Sequence, residues 1–393
     1  MRAHEGTGGM AIGEQAVSRD EILQRAQALL SALKARALET EKLRQIPPAS
    51  VEELKASGLT RVANPARYGG YGNDADLYFE VAMELGRACG STAWCYSVWS
   101  SHNWMIGHWP EEAQDEYFAD GPDVLSSSAF AMLGKLQPVE GGYRLSGRWD
   151  FSSGSDAGSW AMLGAMGPGG PSMALVPRSD YEIIDTWFVS GLRGTGSKDI
   201  EIKDAFVPTH RVGSIMGPVS GLGYELHGRA SYRLPVTSIL PFTLCSPLVG
   251  MAQGALDEFI ERLKGKTGHG RTAESVAIQL RVAESSAEID AARLLVRTTS
   301  RELIERAAQG DMPSELEQAT ARRNYGYVAK LCLQAVNRLF EAGGGHSLYE
   351  THALQRFHRD VHAGSHQVAL YWDAIGEAYG RTALGLPPLN PFG

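Results

Sequence analysis

The sequence contains few cysteines and no long apolar run. Its 393 residues include four cysteines that lie far apart, without the spacing of a metal site or a disulfide framework. No apolar stretch approaches the roughly 20 residues that are needed to cross a bilayer. The polar, glycine-rich residues 1–17 lack the apolar core of a signal peptide. We therefore expect a cytoplasmic protein with reduced thiols, no membrane contact and a disordered leader over residues 1–17.

An excess of positive charge is also missing. Lysine and arginine number 37 against 45 aspartates and glutamates, which gives a net charge of -8 at pH 7. No basic block is present that would neutralise phosphates, so we do not expect a nucleic-acid-binding protein. The glycine-rich residues 191–197 are not followed by a helical pattern, which excludes them as a dinucleotide-binding fingerprint. The chain therefore has no motif of its own for NAD(P)H.

Hydrophobic periodicity divides the chain after the leader into three zones. Residues 18–120 are helical in pattern, with capping boxes or single candidate caps at Ser18, Ser50, Asn73 or Asp74, and Ser91. Residues 121–235 hold short alternating runs, and Gly141 and Gly142 lie between two of them as a hairpin signal. The second zone is therefore predicted to be a small β domain.

Residues 236–393 return to long helical periodicity. One helix is predicted over residues 271–308 and another over residues 314–342, where three glycines follow. The first of these helices carries apolar residues at helical spacing: Val276, Leu280, Ala283, Ala287, Ala291 and Leu294. Long helices joined by short loops indicate a bundle. The sequence thus predicts an α+β protein with an N-terminal helical domain, a middle β domain and a C-terminal helical bundle.

Titratable and aromatic side chains concentrate in two segments. Residues 356–366 place Arg359 and Asp360 beside three histidines, namely His358, His362 and His366. The last two of these are four residues apart and share one face of a helix. Residues 94–104 alternate tryptophans and serines with His102. Such a mixture suits a pocket that holds a flat ring and moves protons.

The order of the zones and four local motifs resemble the acyl-CoA dehydrogenase superfamily. The motifs are a Gly-Leu-Arg strand that leads to Val-Pro, a long helix, a glycine-rich turn and the Arg-Asp pair, at residues 191–208, 279–295, 343–349 and 359–360. The resemblance extends from about residue 18 to residue 387. It implies a β-barrel or sandwich as the middle domain, a four-helix bundle as the C-terminal domain, and a homotetramer built as a dimer of dimers.

Within that superfamily the chain is similar to the oxygenase components of two-component, reduced-flavin-dependent monooxygenases, typified by hydroxyphenylacetate hydroxylase. Four segments carry this similarity: residues 100–102, 126–128, 149–155 and 361–366. The dehydrogenases place a catalytic glutamate soon after the Arg-Asp pair or on a neighbouring helix, whereas residues 361–367 contain no acid. The similarity implies reduced FAD or FMN from a separate NAD(P)H:flavin reductase, O2 as co-substrate, and hydroxylation of a small phenol- or indole-type compound through a flavin hydroperoxide.

The same resemblance implies roles for individual residues. His102 would accept the substrate's proton, Ser128 would hold the same polar group, and His366 would donate to the peroxide or steady the substrate. Cofactor contacts are expected at Trp149, Ser152, Ser153, Arg271, Gly344 and Gly345, with the two serines as hydrogen-bond donors near the central flavin nitrogen. The substrate pocket would be bordered by Trp99, Trp104 and His362. No metal site is expected.

Structural interpretations stand beside these roles. His102 could be a core histidine of an aromatic helix, and tryptophans spaced five residues apart wrap around a helix as packing residues do. The Arg-Asp pair fits a buried ion pair that organises the last helix. The spacing of His362 and His366 also fits two metal ligands, but no third ligand belongs to a recognisable motif.

Two other functions remain open from the sequence. One is an acyl-CoA dehydrogenase or oxidase with a displaced base, which would hold oxidised FAD tightly. The other is a non-catalytic flavin-binding scaffold, which would tolerate alanine at His102, Ser153 and His366. Among oxygenases, the oxidised atom could also be nitrogen or sulfur.

Overall fold

The first part of the molecule is a set of five helices. The computed structural model describes residues 17–214, 222–265 and 273–387, so the leader expected over residues 1–17 lies outside it except for its last residue. The helices are α1 (Arg19–Leu43), α2 (Pro48–Ala56), α3 (Asp76–Gly86), α4 (Gly90–Met105) and α5 (Glu111–Tyr117). The Ser18 hydroxyl accepts the backbone N–H of Glu21, as the capping pattern predicted. The predicted box at Ser50 is wrong, because α2 begins at Pro48, where a missing N–H costs nothing.

The middle of the chain forms one mixed sheet. Its strands are β1 (Ser126–Val139), β2 (Gly142–Ser152), β3 (Trp160–Gly167), β4 (Gly170–Pro177), β5 (Glu182–Ile184), β6 (Lys198–Pro208) and β7 (Val212–Ser214). They lie in the order β5-β6-β2-β1-β3-β4-β7, and β1 pairs with β3 in parallel while the other neighbours are antiparallel. The predicted hairpin is confirmed, since Gly141 adopts φ 79° between β1 and β2. The expected barrel or sandwich thus takes the form of a single seven-stranded sheet.

The last part of the chain is a helical bundle. Its helices are α6 (Leu222–His227), α7 (Val236–Gly265), α8 (Val276–Ala308), α9 (Glu315–Gly343), α10 (Ala353–Ser365) and α11 (Trp372–Ala383). Helices α7, α8, α9 and α10 pack on one another, and α11 packs on α9. A capping box at Ser314 begins α9. By length and composition α7 is apolar enough to cross a membrane, but 83% of its most apolar window is buried in the molecule, as in the core helix of a bundle.

Helix α8 presents its apolar series to the outside. All six residues that marked the helix in the sequence, from Val276 to Leu294, are exposed. Its inner face instead carries Ser285, Ile289, Ala292 and Val296, together with Thr299 and Ser300. The periodicity therefore predicted the helix correctly but marks a face that the described part of the chain does not cover.

Helix α4 connects the three parts. Every residue from Gly90 to Met105 is buried. The helix packs on α3 and α7 and also reaches α10 and β1. It is therefore held rigidly between the bundle and one end of the sheet, and it brings the side chains of residues 94–102 to the strand ends.

Candidate active site

Three side chains of α4 donate hydrogen bonds to one end of the sheet. Trp94 Nε1 donates to Ser153 Oγ at 3.2 Å, and Trp99 Nε1 donates to the carbonyl oxygen of Gly154 at 3.3 Å. His102 Nδ1 lies 2.6 Å from the carbonyl oxygen of Ser126, at the start of β1. These bonds bring His102, the serines of β1 and the serines at the end of β2 to the same end of the sheet.

His102 is a neutral base in this environment. Its side chain is 1% exposed, and burial lowers its pKa from 6.5 to about 4, against the opposing effect of the hydrogen bond to Ser126. Because a carbonyl oxygen can only accept, Nδ1 must carry the ring proton. Nε2 then holds a lone pair, and no described residue donates to it. The imidazole is thus poised to accept a proton or a hydrogen bond at Nε2.

The serines of β1 form the second element of the site. Ser126 Oγ hydrogen-bonds to the hydroxyl of Tyr117 at 2.8 Å, and the hydroxyl of Ser127 is buried with no hydrogen-bond partner in the described chain. Ser128 lies two residues after Ser126 and points to the same face of the strand. Its hydroxyl makes no hydrogen bond to a described residue, and the residue is buried. Ser128 thus lies on the strand that His102 contacts, two residues from the contact at Ser126.

The serines at the end of β2 are equally buried. Ser153 Oγ lies 2.6 Å from Ser197 Oγ and accepts from Trp94. The hydroxyl of Ser152 is buried and has no partner among the described residues. A buried polar atom without a partner is costly unless a ligand satisfies it. Ser127 lies on the opposite face of β1 from Ser126 and Ser128, toward Tyr181, so its hydroxyl belongs to the sheet interior. The orphaned hydroxyl of Ser152 is left as the one that could meet the polar edge of a heteroaromatic ligand.

Phe151 is a site residue that the sequence did not reveal. It precedes the two serines and adopts φ 60°, which is strained for a side chain with a Cβ. Its ring is 66% exposed and lies edge-on to Trp187, with centroids 5.9 Å apart. An exposed aromatic ring beside buried hydroxyls is suited to stacking on a flat ligand. Backbone strain at one phenylalanine leaves no signal in sequence.

Gly154 is required by its neighbour Trp99. Its φ is 71°, and a Cβ atom there would overlap Trp99 Nε1 and lie 2.7 Å from Trp99 Cε2. The backbone of Gly154 therefore lies in close contact with the indole ring of Trp99. The glycine fixes the distance between α4 and the end of β2.

Replacing Gly154 with alanine is expected to separate α4 from the sheet. The clash with Trp99 and the positive φ together predict a loss of about 1–3 kcal/mol of stability. The midpoint of urea unfolding, followed by circular dichroism, measures this loss. Gly170→Ala is the matched control, because Gly170 also has a positive φ but an added Cβ would meet nothing within 4 Å. Equal losses in the two variants would contradict the role of Trp99.

Arg359 and Asp360 hold α10 in place, but not as a pair with each other. Arg359 binds Glu41 at 2.5 Å and the carbonyl oxygen of Ser190, whereas Asp360 accepts the backbone N–H of Leu192 at 2.6 Å. Burial raises the pKa of Asp360 to about 6, and the bond from Leu192 opposes this shift. The predicted mutual ion pair is thus wrong, because successive helical residues point in different directions. Their structural role stands.

The histidines of α10 do not reach His102 in the described chain. His362 Nε2 lies 2.7 Å from Asn337 Oδ1, and His358 binds the same oxygen at 3.0 Å. His366 is exposed, and its Nδ1 lies 2.6 Å from the carbonyl oxygen of His362. No described residues form a cluster of three or more metal-ligating side chains. The structure therefore places His358 and His362 against Asn337 of α9 and leaves His366 at the end of α10.

The remaining predicted residues divide between core and surface. Trp149 belongs to the interior of the sheet, where its Nε1 donates to Gly164 at 2.7 Å, so the prediction of a cofactor contact for its side chain is wrong. Trp104 donates to Ser231 and stacks on Tyr232, again as a core residue. Trp99 is buried too but borders the site at Gly154. Beyond the core, Gly344 and Gly345 are exposed with open space around them, while Arg271 lies outside the described residues.

Comparison with known proteins defines the class first. Residues 14–121 match the description "Acyl-CoA dehydrogenase, N-terminal domain", and residues 242–370 match "Acyl-CoA dehydrogenase, C-terminal domain". Together with the helix–sheet–helix order, these matches place the chain in the acyl-CoA dehydrogenase fold superfamily. The fold expected from the sequence is confirmed.

Individual relatives define the family within that class. The chain is 38% identical to "Flavin-dependent monooxygenase, oxygenase subunit HsaA" of Rhodococcus jostii (strain RHA1), over 93% of this chain and 98% of that protein. It is 33% identical to "FADH(2)-dependent resorcinol hydroxylase, oxygenase component" of Rhizobium sp. (strain MTP-10005), over 94% and 96% of the two chains. The crystal structure of 3-HSA hydroxylase from Rhodococcus sp. RHA1 superposes with a TM-score of 0.90 at 35% identity, covering 95% of this chain and 99% of that one.

The chain belongs to the family of flavin-dependent monooxygenase oxygenase subunits. The resemblance to reduced-flavin monooxygenases is confirmed, as is the expectation of a flavin-dependent oxidoreductase. The dehydrogenase alternative loses support, because these relatives are named as a monooxygenase and a hydroxylase and residues 361–367 contain no acid.

Proposed function

We propose that this chain is the oxygenase component that hydroxylates a small phenol-type compound with reduced flavin and O2. The observation that carries this proposal is the buried, neutral imidazole of His102, whose Nε2 lone pair accepts no hydrogen bond from a described residue and whose ring is held to the strand that carries Ser128. A phenol offers an O–H to that lone pair. The relatives' names, which include a resorcinol hydroxylase, support a phenolic substrate.

The residues at the end of β2 fit a flavin ring. Reduced flavin, when bound, supplies the electrons that activate O2 and allow one oxygen atom to be transferred. Ser152 and Ser153 would satisfy the polar edge of the ring, and Phe151 would stack on it. The FADH2 dependence in the name of the resorcinol-hydroxylating relative supports reduced FAD, and FMN is the second candidate.

His102 and Ser128 would act on the substrate. When Nε2 of His102 accepts the phenolic hydrogen, negative charge develops on the substrate oxygen and the ring carbons become more nucleophilic. The hydroxyl of Ser128 would donate to the same oxygen and fix the ring's orientation. The tight burial of α4 excludes water from this proton transfer.

Reduction of the flavin would occur on a separate protein. The sequence contains no dinucleotide-binding fingerprint, so an NAD(P)H:flavin reductase is the implied partner. We also place the protein in the cytoplasm, because its four cysteines are free, buried thiols of the kind found in reducing compartments.

The exposed apolar face of α8 supports one of the two interfaces that a homotetramer built as a dimer of dimers requires. Leu280, Ala283, Ala287, Ala291 and Leu294 lie at positions symmetric about Ala287, with the leucines seven residues away on each side. Such a palindromic face, about 21 Å long, can pair with an antiparallel copy of itself across a two-fold axis. The central alanines allow close approach of the two helices.

Charge on this face is expected to dissociate the assembly. Leu280→Glu and Leu294→Glu would each bury a carboxylate on both sides of the two-fold axis, so we expect species of lower mass by sedimentation velocity. Leu133→Glu is the control, since Leu133 is similarly exposed (55%, against 56% and 61%) but lies on the sheet. A wild-type mass retained in both α8 variants would exclude this face from the interface.

One anaerobic experiment separates the proposed oxygenase from a dehydrogenase. The protein is mixed with reduced FAD or FMN, and O2 is then added while absorbance is recorded. We expect oxidised flavin to return later than in the protein-free mixture. A protein that instead purifies with tightly bound oxidised FAD, and is bleached by an acyl-CoA, would overturn the proposal.

A further inference from the structure

A chain of buried hydroxyl groups runs from Ser153 to the backbone of Leu192. Ser153 Oγ lies 2.6 Å from Ser197 Oγ, which lies 2.8 Å from Thr195 Oγ1. Thr195 Oγ1 in turn lies 2.8 Å from the carbonyl oxygen of Leu192. Trp94 Nε1 donates to Ser153 at the other end of the chain, at 3.2 Å. Ser153, Ser197 and Thr195 are all buried, so water does not complete the hydrogen bonds of their hydroxyl groups.

The hydrogen bonds of this hydroxyl chain can point in only one direction. The Leu192 carbonyl can only accept, so the single proton of Thr195 is donated to it. Without that proton, two acceptor oxygens would face each other at 2.8 Å. Ser197 must then donate to Thr195, and Ser153 must donate to Ser197, because each hydroxyl has one proton.

Further hydrogen bonds hold Leu192, the backbone residue at which the hydroxyl chain ends. Its N–H donates to Asp360, and its carbonyl oxygen also accepts Trp187 Nε1 at 3.1 Å. Leu192 adopts φ 51°, a strained conformation for leucine that these bonds maintain. The direction of the chain is therefore set by backbone geometry on the side away from the site.

Ser153 consequently offers a lone pair and no proton. Its hydrogen is committed to Ser197, and one of its two lone pairs is filled by Trp94. The remaining lone pair is the hydrogen-bonding capacity that these contacts leave on the Ser153 hydroxyl. The sequence suggested Ser153 as a hydrogen-bond donor to the flavin, whereas these contacts make it a hydrogen-bond acceptor.

We propose that Ser197 and Thr195 are positioning residues that fix Ser153 as a hydrogen-bond acceptor and thereby make the site select reduced over oxidised flavin. This inference rests on the proposed function. The central nitrogen of reduced flavin carries a hydrogen that a lone pair can accept. The same nitrogen of oxidised flavin carries a lone pair, which would face that of Ser153 without a proton between them.

The test compares the affinities for the two redox states of the flavin. Dissociation constants for reduced flavin, measured anaerobically, and for oxidised flavin are determined for FAD and FMN. We expect the wild-type protein to bind the reduced form more tightly. In Ser197→Ala the proton of Ser153 is released and can be donated to oxidised flavin, so the preference should fall by about tenfold, the value of one hydrogen bond.

A second pair of variants keeps the test independent of folding defects. Thr195→Val removes the acceptor of the Ser197 proton and should also reduce the preference, whereas Thr195→Ser keeps the hydroxyl and should retain it. Ser155→Ala is the control, because Ser155 is buried nearby but does not belong to the chain. If Ser197→Ala does not fold, Thr195→Val against Thr195→Ser decides the question.

The outcomes distinguish this inference from the proposed function. A wild-type protein that binds neither form of the flavin would overturn the function itself. A wild type without preference, or variants in which both affinities fall equally, would overturn the inference and leave the oxygenase intact. A loss of redox preference confined to the variants that interrupt the chain supports it.

Discussion

Replacing His102 with alanine is expected to lower the rate of aromatic hydroxylation by about 100- to 10,000-fold. Reduced flavin should still be consumed, with its electrons released as hydrogen peroxide. The reason is that Nε2 of His102 accepts no hydrogen bond from a described residue and is free to act as the base, while the hydrogen bonds of Ser153 at the end of β2 do not involve His102. Product and peroxide, both measured per reduced flavin consumed, give the coupling directly.

Two variants separate chemistry from packing at this position. His102→Asn retains an N–H that can donate to Ser126 but has no counterpart of Nε2, so it should fold normally and remain uncoupled. Ser101→Ala is the control on the same helix, where the lost bond is only to Val98 within the helix. Full coupling in His102→Asn would remove the imidazole from the reaction.

The pH dependence of hydroxylation should reflect the burial of His102. Because burial lowers its pKa to about 4, the imidazole stays in its basic form as pH falls through 6.5. The rate is therefore expected to show no loss attributable to this histidine until pH approaches about 4. The free energy of unfolding depends on pH differently. The unfolded chain binds a proton at His102 near pH 6.5, whereas the folded chain binds it only near pH 4, so the free energy of unfolding decreases as the pH falls from 6.5 to 4. A rate profile that falls with an apparent pKa near 6.5, in a protein still folded, would contradict this assignment.

Arg359→Ala is expected to destabilise the protein by about 3–5 kcal/mol. Glu41 is only 7% exposed, and Arg359 is its close partner at 2.5 Å. Arg193 is 4.0 Å from Glu41 and replaces this close ion pair only in part. Removal of Arg359 therefore leaves a buried carboxylate with only partial compensation. The midpoint of urea unfolding gives the size of the effect.

An exposed ion pair provides the comparison for Arg359. Arg144 binds Asp204 on the sheet surface, where both groups are solvated, so Arg144→Ala should cost no more than about 1 kcal/mol. Adding Glu41→Gln to Arg359→Ala should recover part of the loss, since the buried charge is then gone. Equal midpoints for Arg359→Ala and Arg144→Ala would show that Glu41 is solvated without its partner.

Local signals in the sequence predicted the elements but not their surroundings. The cap at Ser18 and the glycines at the β1–β2 turn fix end groups and φ locally, so they could be read from the chain. The apolar series of α8 could not be assigned to an inner or outer face, because periodicity records only that the residues share a side. The same series would arise from a buried core or from a subunit interface.

The site was predictable only in its residue types. His102 and Ser153 follow from the resemblance, but the pKa of His102 depends on burial and the direction of the Ser153 bond depends on Thr195 and Leu192, some 40 residues away. Trp149 shows the opposite error, because the sequence does not distinguish a tryptophan inside a sheet from one that contacts a ligand. Both cases depend on tertiary contacts that no local pattern encodes.

The most direct test of the proposed chemistry is the source of oxygen in the product. The protein is supplied with reduced FAD, a panel of phenols and O2 labelled with the heavy isotope, and the products are analysed by mass spectrometry. We predict a hydroxylated phenol that carries one labelled oxygen atom, formed by the wild type and not by His102→Asn. Consumption of O2 without labelled product across the panel, with the two proteins alike, would contradict the assignment of an aromatic hydroxylase.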